Sequence, residues 1–172
     1  MKRENSFVAQ LFHYLAPFVD MEKELFICVD GATAAKYSPD DPDLPDLWFT
    51  FCGHKTETGI EAKVINEKNS ISIRQGQMRA WRTGGKGAYQ PTFWVAANRA
   101  LTEFFCWHHA DFRPLLDSSK NKNDNVTRAV TKYFPIAHRS SKIAELALYI
   151  LTHHRTSGAR MKTKPRDKIN TR

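Results

Sequence analysis

One hairpin constrains this chain more than any other stretch. Leu47-Trp48-Phe49-Thr50-Phe51 reads as a strand, Cys52-Gly53-His54-Lys55 as a turn, and Thr56 to Ile65 as the returning strand. Pairing about the centre of the turn sets Leu47 opposite Ile60 and Asp46 opposite Glu61. Side chains alternate along each strand. One face then carries Leu47, Phe49, Phe51, Ile60, Ala62 and Val64, and the other carries Asp46, Trp48, Glu61 and Lys63. A slip of one residue would turn the apolar set to water, so burial fixes the register. The same register forces two carboxylates together.

The rest of the chain supplies a core for this hairpin to pack on. At 172 residues, 41% hydrophobic and 12% aromatic, the chain is long and apolar enough to be one globular unit. Phe7, Val8, Leu11, Phe12 and Leu15 recur at helical spacing from Glu4 to Ala16, and Pro17 closes that helix. Leu25 to Val29 is a short strand ended by Asp30-Gly31, and residues 37–46 are a Pro- and Asp-rich loop. Ser72 and Gln75 match a capping box, which predicts a helix starting near Ile73 and broken by Gly84-Gly85-Lys86-Gly87. Thr92 to Ala97 is a further strand, Arg99 to His108 a helix, and after a polar break from Ser118 to Asn125 the stretch through Phe134 is helical. A last helix near Lys142 to His153 aligns Ile143, Leu146, Ala147, Ile150 and Leu151. This order predicts an α/β fold with a central mixed β-sheet flanked by helices. The expected organisation is a single domain over residues 1–154, with a core at about 3–110, a helical extension at about 111–154 and a flexible basic tail at 155–172.

Directly opposed like charges weaken a sheet unless something offsets them. A hard divalent cation does so, since Mg²⁺ binds through one or two carboxylates, water and substrate phosphate. Lys63, two residues beyond Glu61, would stand beside such an ion. Asp40 and Asp43 are read as loop residues, and Asp46 is preferred because it alone precedes the apolar strand. An acid-x-lysine pair on a strand is, taken alone, more often a solvent-facing charge pair. Gln77 strengthens the case, because it lies on or near the apolar stripe of its expected helix, where a polar residue needs a reason. Glu4 lines up with the buried stripe of the first helix, against the competing reading of a first-turn acid favoured by the helix dipole.

Glu4, Pro45-Asp46, Glu61-Ala62-Lys63 and Gln77 together resemble the PD-(D/E)XK nuclease superfamily, with its restriction-endonuclease-like core. The run Ser70 to Gln77 followed by Trp81 is most similar to archaeal-type Holliday junction resolvases and VRR-NUC-like nucleases, over about residues 3–100. The resemblance implies that Asp46 and Glu61 ligate Mg²⁺, for which Mn²⁺ would substitute, with the backbone carbonyl of Ala62 as a third ligand. It implies that Lys63 is the catalytic lysine, that Glu4 assists the metal site through water, and that Gln77 positions Lys63 or a phosphate.

The charge distribution agrees with a nucleic-acid partner. Of the net +8, +6 lies in residues 155–172, leaving +2 for residues 1–154. Arg74, Arg79, Arg82, Lys86, Lys162, Lys164 and Arg166 are the candidate backbone contacts, with a solvated terminus as the bland alternative. The pairs His108-His109 and His153-His154 are read as partly exposed helix residues rather than zinc ligands, and Trp48, Trp94 and Trp107 as core. Three cysteines without a CxxC pair, and no membrane-length apolar run, fit an intracellular, cytoplasmic protein. The expected function is a metal-dependent endonuclease acting on DNA, junction-resolving or otherwise structure-specific, with RNA still open and a homodimer considered. The alternative is a non-catalytic nucleic-acid-binding module on the same fold, and a third reading is a metal hydrolase acting on another substrate.

Overall fold

A computed structural model of the protein describes residues 2–23, 25–27, 45–73, 91–111, 126–129 and 136–158. Its architecture is α/β. Helix α1 (Lys2–Leu15) ends in a single 3-10 turn, Ala16–Phe18, where Pro17 would otherwise break the ladder. The strands are β1 (Phe26–Ile27), β2 (Leu47–Thr50), β3 (Glu57–Val64), β4 (Ser70–Ile73), β5 (Phe93–Ala97), β6 (Phe104–His108), β7 (Val126–Ala129) and β8 (His138–Ser140). Helix α2 (Ile143–Gly158) follows.

Six strands form one mixed sheet in the order β1-β2-β3-β5-β6-β8, in which β3 and β5 run parallel and every other pair is antiparallel. Strands β4 and β7 pair separately. The β2–β3 register is the one the apolar pattern demands, with Leu47 opposite Ile60. The turn between them closes through the His54 amide, which donates to the Phe51 carbonyl at 3.0 Å. Gly53 sits at its third position with φ 75°, a conformation costly for a residue with a Cβ.

The core lies between one face of this sheet and the two helices. Phe7, Val8, Leu11 and Leu15 of α1 and Leu146, Ala147 and Ile150 of α2 pack on Leu47, Phe49, Ile60, Ala62, Phe93, Val95, Ala97, Phe104 and Cys106. These are the alternate residues of β2, β3, β5 and β6. The intervening residues, among them Trp48, Glu61, Lys63, Trp94, Phe105 and Trp107, point to the opposite face and are also buried.

Two expected helices prove to be strands where the structure describes them, and the helix expected from near Ile73 lies, beyond that residue, outside the described residues. Ser70–Ile73 pairs with β7, and Ile71 and Ile73 are buried while Ser72 is exposed. Ser72, read as a helix cap, instead lies in a period-two strand, entered by a turn in which Asn66 Oδ1 accepts from the Lys68 and Ser70 amides at 2.9 and 3.1 Å. Residues 104–108 form β6, returned against β5 by a loop in which Asn98 Oδ1 accepts from the Thr102 amide at 2.8 Å and Leu101 takes φ 57°. Residues 126–129 are β7, and β8 was not anticipated. The region expected as a helical extension thus supplies an edge strand of the main sheet and a helix of the core. Helix α2 also runs to Gly158, into the stretch read as tail.

Leu146 is fully buried in the two-helix layer, whereas Leu148 on the same helix is 60% exposed. Leu146→Ala should cost about 2–5 kcal/mol in urea unfolding. Leu148→Ala should stay within about 0.5 kcal/mol.

Candidate active site

The site forms where β2 stops and β3 continues. The β2–β3 ladder covers Leu47–Thr50 and Glu57–Ile60, so beyond Ile60 the β2 side of β3 meets the residue before β2, Asp46. The Ala62 amide donates to Asp46 Oδ2 at 2.7 Å, taking the place of a ladder bond. Backbone groups alternate in direction along a strand. Gly59 exchanges bonds with Thr92 on the β5 side, its carbonyl accepting at 2.6 Å and its amide donating to Thr92 Oγ1 at 3.2 Å. Ala62, three residues on, therefore directs both its amide and its carbonyl to the Asp46 side.

Glu61 and Lys63 project from the face opposite the helices. Lys63 Nζ donates to Glu61 Oε1 and lies 3.6 Å from Glu4 Oε1, which reaches in from the first turn of α1. Glu61 is 1% exposed and Lys63 8%, so this charge is held almost entirely out of water. Beside Glu61 on β5 stands Trp94, and beside Trp94 on β6 stands Trp107. The Trp94 indole donates to His109 Nδ1 at 3.2 Å. Next to Lys63 the position on β5 is Ala96, the smallest side chain of the row.

The electrostatics are those of a site with more acid than base. Burial, and then Glu61, push the Asp46 carboxyl well above its ordinary value of 3.8, against the pull of Lys63 and of the Ala62 amide, with Glu4 adding to the rise. For Lys63, burial opposes the charge, but Glu61, Asp46 and Glu4 together hold its ammonium above the ordinary lysine range. Lys63 is thus a cation at neutral pH, suited to donate hydrogen bonds and not to remove protons.

Three carboxylates around one ammonium leave an excess of negative charge in a poorly solvated place, which suits a hard cation. Among the described residues, no group of three or more His, Cys, Asp or Glu side chains is spaced to hold a metal ion. Asp46, Glu61 and the Ala62 carbonyl are the oxygen donors that could hold such an ion, leaving its other positions to water and substrate.

Four of the expected residues, Glu4, Asp46, Glu61 and Lys63, thus come together, with Ala62 between them. Gln77, Arg74, Arg79, Arg82, Lys86, Lys162, Lys164 and Arg166 lie outside the described residues. Trp48, Trp94 and Trp107 are buried, as expected, but on the face that bears the acids and not in the helix-covered core. Of the histidines, His153 is a partly exposed helix residue as expected, whereas His108 ends a strand, and His109 and His154 are buried. Reasoning from sequence missed Trp94 and His109 as the flank of Glu61, because their signal is the pairing of β3 with β5, a contact between distant segments. No protein-family model matches the chain, and no curated protein matches it. Among the described residues, no helix is long and apolar enough to cross a membrane.

A carboxyl whose folded pKa is raised keeps a proton that the unfolded chain releases, so its contribution to stability is present in acid and lost as pH rises through the folded value. Asp46→Asn keeps an acceptor for the Ala62 amide and removes that loss. In EDTA it should melt higher than the parent at pH 7.5, and the gap should close toward pH 4. Equal melting temperatures at both pH values would contradict the assignment of Asp46 as a half-buried acid held above its ordinary value.

Proposed function

We propose that this chain is a Mg²⁺-dependent nuclease that hydrolyses phosphodiester bonds in DNA, built on a restriction-endonuclease-like core. The observation that carries the reading is the convergence of Asp46, Glu61, Lys63 and Glu4 at the point where β2 ends beside β3. A binding module has no physical need to bury an acid-lysine pair at the cost of its desolvation. The parallel strand β5 beside the acid-x-lysine strand supports the fold assignment.

Asp46, Glu61 and the Ala62 carbonyl would hold a divalent cation, which would supply charge compensation for the phosphoryl oxygens and a lowered pKa for water. The chain's own residues do the remaining work. Glu61 holds the Lys63 ammonium through a direct hydrogen bond, and Glu4 holds it from the other side. Lys63, kept charged by these acids, orients the attacking water or a phosphate oxygen. The indole wall of Trp94 and Trp107 keeps the surroundings of Glu61 low in dielectric, which strengthens every one of these interactions. The +6 carried by residues 155–172 would hold nucleic-acid backbone without reading sequence.

The test is cleavage of labelled duplex, flap, four-way junction and single-stranded substrates in Mg²⁺, Mn²⁺ or EDTA. The parent should cut in either metal and not in EDTA. Glu61→Gln and Lys63→Ala should each lower the rate by about 100-fold or more while DNA retention and the circular dichroism spectrum persist. Mg²⁺ should also raise the melting temperature of the parent and leave that of Glu61→Gln nearly unmoved. Folded protein that binds DNA, cuts nothing and gains no stability from Mg²⁺ would replace this reading with the non-catalytic binding module.

A further inference from the structure

On the helix-covered face, away from the acids, three histidines and a tyrosine converge from three elements. The Tyr149 ring of α2 is stacked between His138 of β8, at 4.5 Å and 13° between planes, and His153 of α2, at 4.0 Å and 19°. His108, at the end of β6, completes the group, with its Nε2 at 2.9 Å from the Tyr149 hydroxyl and its ring 6.4 Å from that of His153. His153 Nδ1 lies 2.9 Å from the Tyr149 carbonyl, which must be the acceptor, so this nitrogen carries the proton. These contacts join α2 to both β6 and β8 at the open end of the sheet.

We propose that this cluster is an acid-labile clasp, which docks α2 against β6 and β8 while His108 and His138 are neutral and loosens that docking when these two take up protons. The groups that face it among the described residues are few. Asp111, just after β6, acts on His108, and Glu145, in the first turn of α2, acts on His138; Cys106 of β6 acts on Tyr149. Strand β5 offers only Phe93, whose ring is 5.2 Å from His108. One imidazolium on the face of Tyr149 would be tolerated as a cation–π contact. Further imidazolium charge would repel the first, since the three rings lie around one side chain and His153 is 6.4 Å from His108.

Burial, and then the neighbouring His153, lower the affinity of both His108 and His138 for protons, and the two acids only partly oppose this. A histidine depressed in the folded state contributes stability that is present above its unfolded value of about 6.5 and is lost as pH falls through the folded value. Acid should therefore act first on α2. The proposal is independent of the nuclease reading, since none of these side chains lies on the face that carries Glu61 and Lys63.

Amide hydrogen exchange, corrected for the intrinsic pH dependence of exchange, tests it on the full chain. Between pH 7.5 and 5.5 the opening of residues 143–158 should rise by up to about tenfold per pH unit for each linked histidine, with little change in α1. His108→Gln combined with His138→Gln should abolish most of that rise, while His13→Gln, on exposed α1 surface, should leave it intact. If the double variant does not fold, His138→Gln alone should remove part of the rise. Titration of the parent's imidazole resonances supplies a reading that needs no variant. Protection of α2 that does not change with pH, or midpoints for His108 and His138 at or above about 6.5, would overturn the clasp.

Discussion

The register of β2 against β3 is the constraint on which the rest depends. Pairing Leu47 with Ile60 puts Leu47, Phe49, Ile60 and Ala62 under the two helices and Glu61 and Lys63 on the far face. Because the side-chain period is two, no intermediate arrangement exists. Burial of the apolar residues therefore drags the charged ones into place, and the strand pays for its second function with hydrophobic energy. Starting β2 no earlier than Leu47 matters as much, since it leaves the Ala62 amide for the Asp46 carboxylate where the ladder would otherwise continue.

That construction conflicts with stability. Glu61 and Lys63 are held out of water, and a buried ion pair seldom gains as much from attraction as it loses in hydration. The excess of acid leaves Asp46 straining toward its neutral form. Apolar side chains at these positions would suit the fold better. Retaining them is intelligible where the excess negative charge meets a cation, because both the repulsion and the lost hydration are then offset in the bound state. The aromatic flank works in the same direction. Trp94 and Trp107 exclude water from the neighbourhood of Glu61, and the bond from Trp94 to His109 satisfies the indole without drawing on the carboxylates.

Legibility in the sequence followed the range of the contacts involved. The hairpin, α1 and α2 were readable because their signals are local: alternation, helical spacing, Pro17 and a glycine at the turn. The grouping of Asp46 with Glu61 and Lys63 was readable for the same reason, since one hairpin contains all three. Ser72 misled because its spacing to Gln75 matches a cap, although Ile-Ser-Ile alternation was the truer signal for Ser70–Ile73; what decides it is pairing with residues 126–129, invisible locally. Phe104–His108 misled because a strand buried on both faces shows no alternation, and its entry turn places Leu101 in a left-handed conformation that its branched side chain disfavours. β8 is a three-residue edge strand, too short to carry a pattern.

The helix layer links the two ends of this account. Helix α1 carries Glu4 to Lys63 at its first turn and buries Phe7, Val8, Leu11 and Leu15 in the layer it shares with α2. The seat of Glu4 therefore depends on packing that α2 completes. The row Leu47, Ile60, Phe93, His108 crosses the sheet beneath that layer, from the start of Asp46's strand to the histidine cluster. Glu61 and Asp46 belong to the hairpin and keep their places through its register. Glu4 does not, because it reaches the site only through α1. Of the three acids around Lys63, it is the one whose position answers to the state of the helices.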